Sequence, residues 1–154
     1  MGLDNEICYD INDKRYLSEE TIQMIYSNVH ELQYLGMSLT LEQALTNKYI
    51  FICGKIYYGI IDKLTGFNLY NNLGPTELYK MYEKLNKYIE DNKEELDRIE
   101  SLLNENYENA RAIEMYVETF SSDRVNFLYP SQIKTLSQLF KVMADNNLWL
   151  IASY

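Results

Sequence analysis

Residues 75–120 read PTELYKMYEKLNKYIEDNKEELDRIESLLNENYENARAIEMYVETF. Pro75 follows Gly74 and suits the first turn of a helix, where its missing N–H has no partner to lose. From there Leu78, Leu85, Asn92, Ile99, Asn106, Ile113 and Phe120 recur at every seventh residue, with Tyr82, Ile89, Leu96, Leu103, Ala110 and Val117 in register between them. This is the 3.5-residue repeat of a coiled-coil seam, and asparagines at such positions fix register or oligomeric state. A continuous helix over this stretch would be roughly 65–70 Å long at 1.5 Å per residue. That far exceeds the radius of gyration of about 15 Å for a compact chain of this size. The helix must protrude, pair with a second copy, or fold back near Asp91–Asn92 or Asn104–Asn106. Its length favours a homodimer whose seam is Leu85, Ile89, Leu96, Ile99 and Leu103.

Working outward, Leu3, Asn5, Ile7 and Tyr9 alternate along the first ten residues and predict a short strand that ends in the turn Asp10-Ile11-Asn12-Asp13. Ser18 is a good N-cap, Glu19 and Glu20 suit the first turn, and Ile22, Ile25, Tyr26, Val29 and Leu32 form an apolar stripe, so a helix is expected up to Gly36. Thr40 and Gln43 have capping-box spacing ahead of a short helix over Leu41–Thr46. Tyr49–Cys53 is β-branched and aromatic and predicts a buried strand. Ile56, Ile60, Ile61 and Leu64 then recur at helical spacing, with Gly66 as the stop, and residues 68–74 form a loop. Past Ser121-Ser122-Asp123, Pro130 and Ser131 open a last amphipathic helix carrying Ile133, Leu136, Leu139, Phe140 and Met143. After Asn146–Asn147, Leu148–Ala152 reads as a terminal strand. The expected fold is a predominantly helical α+β domain over residues 1–154. It has a small sheet of about three short strands, N-terminal, central and C-terminal, covered by helices on one face, plus a long heptad-patterned helix or helical hairpin at 75–120.

The chain has 154 residues, 47% of them hydrophobic and 24% charged, which suits one core and not two. Fourteen Lys and Arg against 23 Asp and Glu leave a net charge of -9. Direct binding to nucleic acid is disfavoured, because it needs a basic face to replace condensed counterions. No apolar run approaches the roughly 20 residues that span a bilayer, and the opening Met1–Glu6 carries acids where a signal peptide carries positive charge. Glu6 stands where N-myristoylation wants Ser or Thr. Cys8 and Cys53 both lie in apolar surroundings, as buried thiols in a reducing cytosol would, so a soluble cytoplasmic protein is expected. Abundant Asn, Tyr, Ile and Lys, all with AT-rich codons, fit a low-GC bacterium or its phage.

No phosphate-binding glycine array, zinc signature or nucleophile elbow is present, so neither a catalytic residue, a metal nor a cofactor is assigned. His30 is the only histidine, and without Asp or Cys at ligand spacing it reads as a surface or structural residue. The segment Asp10–Asp13 begins like a calcium loop, but Arg15 replaces the glycine at position six and Thr21 the glutamate at position twelve. The best candidate for a small ligand is the strand-to-helix turn at 53–58. There Gly54 and Lys55 would hold an anionic or nucleotide-like group at a helix N-terminus, and Tyr57 or Tyr58 would stack on a base. A plain turn with Lys55 in solvent explains the same residues.

Acid is concentrated in residues 1–31 and 75–120. Glu90, Asp91, Glu94, Glu95, Asp97 and Glu100 make the densest run, several at helical three- or four-residue spacing. Such a row can resemble a phosphate backbone to a protein with a basic groove, and it also suits an ordinary solvated face. Fifteen tyrosines add amphipathic contact area; Tyr79, Tyr88, Tyr107 and Tyr116 fall outside the seam. The expected function is that of a non-enzymatic acidic inhibitor or adaptor that binds a basic protein partner through the acidic helical face. In a phage setting its target would be a host nucleic-acid-handling or defence protein. The alternative is a dimeric small-molecule trap using the turn at 53–58.

Overall fold

The structure, a computed structural model, describes residues 2–13, 15–35, 38–106, 109–112, 114–115 and 129–154. Gly36, Tyr107, Ile113, Tyr116, Val117, Phe120 and the Ser121–Asp123 stop signal lie outside these. The elements are β1 (Asp4–Cys8), α1 (Glu19–Asn28), α2 (Leu41–Asn47), β2 (Phe51–Ile52), α3 (Gly54–Thr65), α4 (Pro75–Asp91), α5 (Lys93–Glu105), α6 (Pro130–Asp145) and β3 (Trp149–Ser153). The fold is the expected predominantly helical α+β arrangement with a small sheet.

Alternation along β1 buries Leu3, Asn5 and Ile7 and exposes Asp4 and Glu6, as a strand with one covered face requires. β1 is the central strand, paired antiparallel with β2 on one side and β3 on the other. Leu73 extends the sheet with a reciprocal pair of 2.9 Å hydrogen bonds to Leu150 of β3. The ladder on the other side is shorter than Tyr49–Cys53 suggested, with Phe51 and Ile52 alone paired in register and the Ile50 carbonyl accepting from the Ile7 N–H.

The caps form as spaced. Ser18 Oγ accepts from the Thr21 N–H at 3.1 Å, Thr40 and Gln43 exchange both bonds of a capping box, and Gly66 closes α3 with φ +76°. Helix α1 ends earlier than its apolar stripe. Val29 turns extended, Glu31 is left-handed, and Leu32–Tyr34 form a single 3₁₀ turn that still buries Leu32. Helix α6 replaces the lost helical bonds, with Gln138 accepting from the His30 N–H and Thr135 Oγ1 donating to the His30 carbonyl.

The long heptad stretch is not one helix. Asn92 interrupts it with φ -118° and ψ 22°, its side-chain amide donating to the Tyr88 carbonyl at 2.9 Å. An asparagine expected to set a coiled-coil register instead caps its own helix. Helix α5 ends at Glu105, and both Asn106 and Ala110 are exposed, so Leu103 is the last buried repeat position among the described residues. The chain then returns as α6. Lys134 meets Asp97 of α5 and Lys141 lies over the Tyr82 ring of α4, so α6 runs antiparallel to α4 and α5.

This return brings α6 onto the residues of the expected seam. Leu85, Leu96, Ile99 and Leu103 are at most 1% exposed within the single chain and Ile89 is half-buried. They belong to the same core as Leu136, Leu139, Phe140 and Met143 of α6. The apolar surface expected to face a second copy packs against the chain's own helices.

Candidate functional site

Asn92 divides the acidic row into two short groups at an elbow. Glu90 and Asp91 close α4, and Glu94, Glu95, Asp97 and Glu100 lie on α5. Glu90, Asp91, Glu94 and Asp97 are exposed, whereas Glu95 and Glu100 are half-buried. Charge on this surface is partly compensated. Asp97 takes an ion pair from Lys93 at 3.3 Å and another from Lys134 at 3.5 Å. The Lys93 hydrogen bond, helped by Lys134, holds the Asp97 carboxyl below the usual carboxylate range. Glu90 accepts from the Asn86 amide. Burial, with the charge of Glu95, pushes the Tyr88 hydroxyl above its ordinary value. Glu100 keeps one buried carboxylate oxygen with no hydrogen-bond partner among the described residues. Glu90, Asp91 and Glu94 therefore carry the outward negative charge, and no ion pair among the described residues engages them.

The strand-to-helix turn is closed. Gly54 begins α3 as expected, but a Cβ there would strike the Asn5 side chain and approach Leu3 Cδ2 to 2.8 Å. The Lys55 N–H donates to the Leu3 carbonyl at 3.2 Å, so strand β1 occupies the helix end where an anion would have to sit. Tyr57 is fully buried in the core. Lys55 and Tyr58 are exposed, and Tyr58 packs edge-on to Tyr70, which packs edge-on to Tyr154. The four residues Gly54, Lys55, Tyr57 and Tyr58 do not converge on one cavity.

His30 stands exposed after α1, its Nε2 3.5 Å from Glu31. It lines a 480 Å³ surface cavity with Tyr26, Tyr34 and Gln138 among others. Burial pushes the Tyr26 hydroxyl up to about 12, and that hydroxyl donates to the Leu39 carbonyl. Cys8 and Cys53 are buried and not disulfide-bonded. No group of three or more His, Cys, Asp or Glu is placed to hold a metal ion among the described residues. Among the same residues, no helix is long and apolar enough to cross a membrane.

One surface was not legible in the sequence. The helices seal one face of the sheet, burying Asn5, Ile7, Ile52 and Leu150. Register sets Glu6 between Phe51 and Ile151 on the other face, with Cys8 beside Trp149 and Asp4 beside Ser153. The Tyr49 and Phe51 rings stack there at 5.5 Å. Alternation of Asp4, Glu6 and Cys8 was the available signal, but strand order decides which side chains flank them. Compared with protein-family models, curated proteins and solved structures, the chain shows no significant match.

Proposed function

We propose that this chain is a non-enzymatic interaction protein, an inhibitor or adaptor, that binds a basic partner through the acidic elbow where α4 meets α5. The observation that carries this reading is the outward placement of Glu90, Asp91 and Glu94 on a junction anchored by buried Leu85, Leu96 and Ile99. Carboxylates on a rigid support attract a cationic surface without the entropy cost of ordering a loop. The turn at 53–58 supports a ligand trap less well, since β1 fills the space an anion would need.

A decalysine peptide is a suitable probe, followed by amide chemical shifts. It is expected to perturb Glu90–Asp97 and to bind progressively more weakly as salt shortens the screening length from about 10 Å at 0.1 M. Charge reversal in the triple variant Glu90→Lys, Asp91→Lys, Glu94→Lys should abolish those shifts while leaving the circular dichroism spectrum unchanged. Undiminished binding by a folded triple variant would overturn the proposal.

A further inference from the structure

We propose that the face of the sheet opposite the helices, left partly open by the described residues, is a docking surface for a partner segment in which apolar side chains alternate with lysine or arginine. This rests on the acidic-interaction reading and adds an apolar surface distinct from the elbow. Across the three strands, the row Ile151–Glu6–Phe51 sets one carboxylate between two apolar side chains. The neighbouring row places Trp149 beside Cys8, and Tyr49 stacks on Phe51. Asp4 and Glu6 are exposed, while Tyr49, Phe51, Trp149 and Ile151 stay half-buried, well short of the sealing on the opposite face. No ion pair among the described residues engages Asp4 or Glu6, and Arg15 near the margin is held by Asp13 at 3.0 Å. A 230 Å³ cavity opens beside Glu6, lined by Cys8, Tyr16, Tyr49 and the cations Arg15 and Lys48, neither of which pairs with Glu6, and a partner side chain can anchor there.

Charge selects the occupant. A two-fold pairing of this face with a second copy would bring Asp4 and Glu6 toward their own equivalents on chains of net charge -9, and like charges facing across an interface oppose association. A segment of alternating apolar and basic residues covers the apolar rows and meets both carboxylates with opposite charge. Burying Glu6 among Phe51 and Ile151 without such a cation would strand a desolvated charge.

Trp149 is the only tryptophan, so its fluorescence reports directly on this face. The probe is an acetylated octapeptide of alternating lysine and valine, with lysine–serine and glutamate–valine octapeptides as controls. The expected result is a saturable change in Trp149 emission with amide shifts at Glu6, Phe51 and Ile151. Affinity should fall by about tenfold or more for Glu6→Lys, an exposed position, and for the lysine–serine peptide, with no response to glutamate–valine. Shifts confined to Glu90–Asp97 with Trp149 unchanged would overturn the sheet-face site while leaving the acidic elbow standing. Absence of saturable binding at either surface would overturn both. Sedimentation showing a dimer that Trp149→Ala abolishes would make a second copy the occupant and overturn the choice of a basic partner.

Discussion

The Asn5 side chain occupies the space in which any residue other than glycine at position 54 would place its Cβ. Asn5 is itself fully buried, and its amide donates to the Leu69 carbonyl at 2.7 Å. One asparagine on β1 thus ties the sheet to the loop before α4 and abuts the first residue of α3. The contact that fills the space beside the α3 N-terminus is therefore part of the core.

Gly54→Ala should destabilise the protein by about 1–3 kcal/mol, the usual cost of overpacking, because Leu3 and Asn5 are buried and cannot give way. Gly74→Ala offers a contrast. Its Cβ would approach the Trp149 ring at 2.9 Å and the flexible Glu77 carboxylate at 3.1 Å, and the outer end of a half-buried ring can move. Urea denaturation should show the smaller loss for Gly74→Ala, accompanied by altered Trp149 emission.

Leu96→Ala and Leu103→Ala should each cost about 2–5 kcal/mol, since both side chains leave cavities in the chain's own core. The loss should be the same at low and high protein concentration. A midpoint that rises with concentration in the wild type and not in these variants would return them to a subunit interface.

Thr40→Ala removes the acceptor for the Gln43 N–H and breaks the capping box of the seven-residue α2. A loss of about 0.5–2 kcal/mol is expected. Hydrogen exchange should quicken first at the amides of Leu41–Ala44, with α4 and α6 unaffected.

Asp97 has its carboxyl pKa depressed in the folded state by Lys93 and Lys134, so its contribution is present above the unfolded carboxylate value of about 3.9. That contribution disappears as pH falls through the lower folded value. Asp97→Asn should therefore lower the melting temperature at pH 7, and the gap from wild type should narrow as the pH is taken below about 4. The effect should be small and shrink with added salt, because both ion pairs are solvent-exposed.

Much of this molecule was legible because it is local. Ser18, the Thr40–Gln43 pair, Gly66 and Pro75 act on groups within four residues of themselves, and the alternation of Leu3, Asn5 and Ile7 needs only a covered face to be realised. The heptads from Leu78 to Leu103 equally showed that one face of α4 and α5 must be buried. They could not show what buries it, because hydrophobic burial is non-directional and accepts a second copy or a distant helix alike. Tertiary structure supplied a covering helix from within the chain, α6, whose Lys134 reaches Asp97 from 37 residues away. It also closed the turn at Gly54 with Asn5 and assembled the face around Glu6, since strand order depends on contacts between segments that no local pattern encodes.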